Sequence, residues 1–169
     1  MVRAYSAAEF ESNIPRFAQI LMDAVDSGAG VSFVAPLSRD MAESFWRGKI
    51  KDVASAQIFP FVAEVEGVIA GLVLLVRAWA PNQPHHSEVS KLVVHRNFRG
   101  RGVATALMNA LETKAKSLDQ TLLTFDASAH GPVEAFYKGL GYICVGHYPG
   151  YARSGLGAIE DTALFYKKL

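Results

Sequence analysis

The chain lacks most of what would tie it to an oxidising compartment, a bilayer or a polyanion. It has a single cysteine, Cys144, and so no pair for an internal disulfide. Its 17 basic and 16 acidic residues leave a formal charge of +1, so no global field gathers nucleic acid or an anionic membrane. The most apolar run, Val68 to Val76, stops at Arg77 and is too short to span a bilayer. Met1 to Glu9 has no apolar leader core, so a cytoplasmic protein without membrane or nucleic-acid partners is expected. The histidines at 85, 86, 95, 130 and 147 show no H-x-x-x-H spacing, and no metal is expected. There is no repeat, no low-complexity tract and no long linker, which predicts one domain over residues 1–169.

What is present is globular. Half the residues are hydrophobic and 20% are charged, enough to build a core under a solvated surface. Ser6-Ala7-Ala8-Glu9 has capping-box spacing, and Phe10, Ile14, Phe17, Leu21 and Val25 follow at helical intervals up to Ser27-Gly28. Ser38 and Asp40 open a second helix with Met41, Phe45, Ile50 and Val53 on one face. Phe61–Val65, the turn Glu66-Gly67 and Val68–Trp79 read as a β-hairpin. Ser87–His95 reads as a strand, Gly102–Leu118 as a helix and Thr121–Asp126 as a strand. A short helix then starts at Gly131-Pro132, before strands at Tyr142–Gly146 and Thr162–Lys167. The order predicts a mixed α/β fold: a largely antiparallel central sheet flanked by helices, with one β-α-β unit.

The most informative stretch is the loop of that unit, His95-Arg96-Asn97-Phe98-Arg99-Gly100-Arg101-Gly102-Val103-Ala104-Thr105. A valine-rich strand runs into two glycines and three arginines, and a helix follows at once. The first turn of a helix has amides without internal partners, and its dipole favours anions. Glycines let a phosphate approach those amides, and Arg99 and Arg101 add charge. The loop therefore reads as a pyrophosphate seat. It is not a Walker loop, because no Gly-Lys-Ser/Thr follows at the required spacing. It is close to G-x-G-x-x-G, but Thr105 stands at the third glycine, and too few residues follow Asp126 for a second Rossmann half.

Arg99-x-x-Gly102-x-Ala104 resembles the R/Q-x-x-G-x-G/A motif of the GNAT N-acetyltransferases, and Phe136-Tyr137-Lys138-Gly139-Leu140-Gly141-Tyr142 resembles their F-Y-x-x-L-G-F/Y segment. A narrower similarity, to the tabtoxin-resistance acetyltransferases, rests on Glu88-Val89-x-Lys91-Leu92, Glu134-Ala135-Phe136-Tyr137 and Pro149-Gly150-Tyr151. The resemblance implies acetyl-CoA as cosubstrate and a small-molecule amine, either amino-acid-like or an antibiotic or toxin, as acceptor. The pantetheine arm would lie along Leu92, Val93 and Val94, and the pyrophosphate on Gly100, Arg101, Gly102, Val103, Ala104 and Thr105 with Arg99. Two positions depart from the family pattern: Arg96 replaces a common proline, and His130 stands where an asparagine often meets the cofactor.

Acetyl transfer to an amine needs a base, because only about a thousandth of an amine with pKa near 10 is neutral at pH 7. It needs an amide donor for the oxyanion and an acid for the departing thiolate. The resemblance makes Tyr137 the acid. Glu88 and Asp126, near the ends of neighbouring strands, are the alternative bases, and either can instead hold the substrate ammonium. Trp46, Trp79 and Cys144 read as packing residues, His85-His86 as a solvated loop, and Tyr151 as a turn residue or an acceptor-site edge. Phe33, Trp46, Tyr148 and Tyr151 lean towards a closed small-molecule pocket. A protein or peptide acetyltransferase and a non-catalytic acyl-CoA sensor are the competing functions, as a monomer or a homodimer.

Overall fold

Ser6 does cap the first helix: its hydroxyl accepts from the Glu9 amide at 3.3 Å, and Glu9 accepts from the Ser6 amide at 2.9 Å. That reciprocal pair, with Arg3 close by, holds the Glu9 carboxyl down at about 2. In the computed structural model, which describes residues 1–129 and 131–169, the expected single helix is two, α1 (Ala7–Ser12) and α2 (Ile14–Asp26). Pro15 is the cause, since it lacks an amide proton and crowds the carbonyl four residues back. The second predicted helix is likewise split, into α3 (Arg39–Arg47) and α4 (Ile50–Ala54), with Gly48 between them. Its buried face is Ala42 and Trp46, while Met41 is 57% exposed, contrary to the expected stripe.

The strands are β1 (Val2–Ala4), which the sequence pattern does not announce, β2 (Ile58–Val65), β3 (Val68–Arg77) and β4 (His86–Val94). After one 3₁₀ turn at Arg96–Phe98 come α5 (Val103–Ser117), β5 (Leu122–Ser128), α6 (Val133–Gly139), β6 (Ile143–Arg153) and β7 (Ile159–Lys168). The β2–β3 turn has positive φ at both Glu66 and Gly67, the backbone twist a two-residue hairpin needs. The last two strands run well beyond their predicted limits. They form a long hairpin whose Tyr148 and Tyr151 rings stack 5.3 Å apart.

The seven strands lie in the order β1-β2-β3-β4-β5-β7-β6, and every neighbouring pair is antiparallel except β4–β5. A core lies on each face. Leu72 and Leu74 of β3 join Phe10, Phe17 and Trp46 on one side, while Val73 and Leu75 join Leu107 and Leu111 of α5 on the other. Burial on both faces explains why β3 is the most apolar run of the chain.

Two features shape the middle of the sheet. The parallel β4–β5 ladder pairs only His86, Ser87 and Glu88 with Leu122, Leu123 and Thr124, so the strands part beyond Glu88. Along the parting, β4 holds one more residue than β3: Leu72 faces Val93 while Leu74 faces Ser90. Lys91 takes a positive φ of 54° within this bulge. Opposite, Gly71 leaves no room for a side chain, since a Cβ there would lie 2.6 Å from the Val93 carbonyl oxygen. Among the described residues no helix is long and apolar enough to cross a membrane.

Candidate active site

Three hollows run in series along the parted strands. The first, of about 300 Å³, is a cradle lined by Val94, Arg99, Gly100, Gly102 and the start of α5. Gly100 and Gly102 have φ of 72° and 75°, and Gly102 begins α5 with no side chain capping it. The amides of the first turn are therefore left to a ligand or water. A Cβ on either glycine would meet no protein atom within 4 Å, so the glycines serve the left-handed backbone rather than a tight contact.

The second hollow, of about 420 Å³, shares Val94, Arg99, Ala104 and Phe136 with the cradle and is lined mainly by Leu92, Val93, Val133 and other apolar residues. The third, of about 470 Å³, shares Val31, Leu92 and Tyr137 with the second and contains both Glu88 and Asp126. Tyr137, with Val31 and Leu92, thus forms the common wall between an apolar channel and a polar chamber. Only 7% exposed, its ring lies 4.4 Å from that of Phe125 and 5.3 Å from that of Phe165. Burial pushes its phenol above the ordinary tyrosine range, and no protein group hydrogen-bonds its hydroxyl among the described residues. The residue is therefore a neutral donor at physiological pH.

Most of the expected site residues come together here: Leu92, Val93, Val94, Arg99, Gly100, Gly102, Val103, Ala104 and Thr105 line the first two hollows, and Tyr137, Glu88 and Asp126 the third. Arg101 does not line the cradle; its guanidinium lies 5.8 Å from the Phe98 ring centre. Arg99 is at the cradle wall, but its side chain is turned back. It donates to the Val94 carbonyl at 2.9 Å and to the Ser27 hydroxyl at 2.9 Å. His130 lies outside the described residues. Trp46 is fully buried among Phe10, Phe17 and Phe45 and does not line the chamber, whereas Trp79 is 91% exposed and packs against no core. His86 is not a solvated loop residue: its Nε2 meets the Thr124 hydroxyl at 2.7 Å across the β4–β5 seam. Phe33 packs edge-on against Phe45, 5.2 Å away.

Two further groups join the site without a role assigned to them by the sequence. Asp23, near the end of α2, accepts from the Arg96 amide at 2.9 Å and also binds the Arg96 guanidinium, with Arg99 at 3.6 Å and His95 at 3.9 Å. Burial opposes ionisation of Asp23, but the Arg96 bonds and His95 outweigh it and hold the carboxyl below its usual range. Arg96, the departure from proline, is thereby the strap between α2 and the cradle. The second group is Lys91, whose ammonium reaches the chamber wall and donates to Ser32 at 2.9 Å. Burial lowers its pKa, nearby Lys49 adds to this, and Asp126 opposes both. The Asp23–Arg96 contact spans 73 residues, so no local pattern signals it.

A family model described as the Acetyltransferase (GNAT) family matches residues 23–142, a span that includes the cradle, Glu88, Asp126 and Tyr137. The chain belongs to the GNAT acetyltransferase family. It is 34% identical over 106 residues to an uncharacterized N-acetyltransferase in the hisH–hisA intergenic region of Azospirillum brasilense, a match covering 62% of this chain and 61% of that relative. The chain thus matches less than two thirds of that relative's length. The fold is shared with solved structures of low identity. Ribosomal-protein-alanine N-acetyltransferase from Brucella melitensis superposes with TM-score 0.77 at 20% identity, covering 100% of this chain and 99% of that one. The yncA protein of Salmonella typhimurium, solved with its cofactor acetyl-CoA, gives 0.80 at 15% identity, with coverage of 100% and 93%.

Proposed function

We propose that this GNAT chain is an acetyl-CoA-dependent N-acetyltransferase acting on a small-molecule amine, with an amino-acid-like acceptor as the finer reading. The observation that carries it is the series of three hollows, which passes from free helix amides, along an apolar channel, past a buried neutral phenol, to two carboxylates. Coenzyme A presents the same sequence of demands: a diphosphate, a long thin arm and a thioester.

In this reading the first-turn amides from Gly102 to Thr105 hold the diphosphate, and Arg99 supports the loop rather than gripping the ligand. Leu92, Val93 and Val94 line the arm's track and exclude water from it. Glu88 or Asp126 takes the proton of the acceptor ammonium, so that the neutral amine can attack the thioester carbonyl. Tyr137 gives its proton to the departing thiolate and regains one from the acylated nitrogen, directly or through water, so the products are a neutral amide and free coenzyme A. The acceptor's chamber is entered from the side of Asp126, where a further hollow of about 330 Å³ is lined by Tyr151, Arg153, Glu160 and Asp161. Lys91 supports the finer reading, because an amine that also carries a carboxylate would find a cation beside the base. The similarity to the tabtoxin-resistance acetyltransferases points the same way. A cytoplasmic location belongs to the same proposal.

The test is a thiol-release assay with acetyl-CoA against free amino acids, their decarboxylated amines, polyamines, β-lactam toxins and peptides, alongside calorimetry with coenzyme A. Release with an amino acid, and little with its decarboxylated partner, supports the full reading. Turnover on peptides alone would replace the acceptor, and binding without any turnover would make the protein an acyl-CoA sensor. A chain that takes up no coenzyme A would sink the proposal.

A further inference from the structure

Glu134 of α6, which with Cys144 and His147 lines none of the three hollows, approaches both of those β6 residues. On a regular strand two residues three apart point to opposite faces, so Cys144 and His147 would not share a ligand. Here β6 bulges: Cys144 faces Phe165 and Gly146 faces Leu164, so β6 spends two residues where β7 spends one. The bulge restores both side chains to one face, under Glu134.

One ligand atom from each of the three residues lies within 4.8 Å of the other two. The His147 Nε2 is 2.9 Å from Glu134 Oε1, the thiol of Cys144 is 3.6 Å from the Gly146 carbonyl, and Lys138 Nζ is 3.5 Å from Glu134 Oε2. We propose that Glu134, Cys144 and His147 form a binding site for a divalent cation of the zinc class. Thiolate and imidazole select such an ion over magnesium or calcium, which demand oxygen ligands. Three protein donors leave a tetrahedral ion one position for water. A thiolate and a carboxylate balance its double charge. Lys138 already pairs with Oε2, which leaves Oε1 for the ion and fixes the carboxylate as a one-atom ligand. Zinc–ligand bonds of about 2.0–2.3 Å put donors roughly 3.5 Å apart, so rotation of partly exposed side chains closes the remaining gap. Binding releases the Cys144 thiol proton to solvent, while the His147 ring binds through Nε2 and keeps its proton on Nδ1; affinity therefore rises with pH.

The experiment is a Co(II) titration of the reduced full chain. The expected result is a thiolate-to-cobalt charge-transfer band saturating at one ion per chain, bleached by Zn(II). A zinc-bound Tm roughly 5–10 °C above the metal-free value should accompany about a hundredfold excess of ion over Kd. Cys144→Ser should abolish the band, and Glu134→Gln and His147→Ala should each weaken Zn(II) binding at least about tenfold, with metal-free melting used to confirm folding. The proposal fails if wild-type protein shows no such band. It also fails if Cys144→Ser and His147→Ala bind Zn(II) in calorimetry as the wild type does, which would move the ion elsewhere, for instance to the His85-His86 pair.

Discussion

The Tyr137 ring is held by aromatic neighbours on one side and borders two hollows on the other, so packing and chemistry use different parts of one residue. Removing only the hydroxyl separates them. Tyr137→Phe should lower kcat by about 10²–10⁴ while leaving coenzyme A affinity within a factor of two, as turnover and calorimetry would show. Equal loss of affinity would mean that the phenol is structural. Glu88 and Asp126 border the same chamber from different strands. The base among them is the one whose amide variant, Glu88→Gln or Asp126→Asn, removes the acidic limb of the kcat/KM profile; the other variant should mainly raise KM. Tyr137, Glu88 and Asp126 were legible because a motif or a strand end marks them. Lys91 stood in a quoted motif, but its place at the chamber wall was not legible, since it follows from a bulge and a positive φ that nothing in the local pattern announces.

At the scale of elements, the cradle depends on α2 as much as on α5. Asp23 ties the Arg96 backbone and side chain to the end of α2, and Arg99 adds a bond to Ser27. Because the Asp23 carboxyl is depressed in the folded state, its contribution is present above the unfolded value near 3.9. It is lost as pH falls through the lower folded value. Asp23→Asn should therefore destabilise the chain at pH 7 by about 1–3 kcal/mol and much less at the acid end, and should weaken coenzyme A binding through the loop. Chemical denaturation at several pH values checks the first and calorimetry the second. The strand–loop–helix unit was readable from glycine spacing and valine content. The splits at Pro15 and Gly48, and the brief β1, were not: the apolar spacing continues across both breaks, and three residues carry too little pattern to stand out.

Across the whole molecule, the far hairpin makes a close approach to the end of α2. Gly155, between β6 and β7, lies so near the end of α2 that an added Cβ would sit 2.2 Å from the Val25 carbonyl oxygen, and its own carbonyl accepts from Ala35 at 2.8 Å. Gly155→Ala must push the hairpin off α2, at a cost of about 1–3 kcal/mol, and should lower Tm by roughly 2–10 °C in a melting experiment. The overall class, a mostly antiparallel sheet with helices on both faces, was legible from the order of periodic segments. The placing of β7 between β5 and β6 was not, because strand order within a sheet depends on contacts that local periodicity does not encode. The three-pair seam between β4 and β5 has its own consequence. Main-chain contact between the two parts of the sheet is confined to one end, like the pivot of a pair of tongs, so a slight rotation there is magnified at the open jaws. A linear guest threaded between them would act as a missing rung. It would set the aperture and shield from exchange with heavy water the amides along the parted edges.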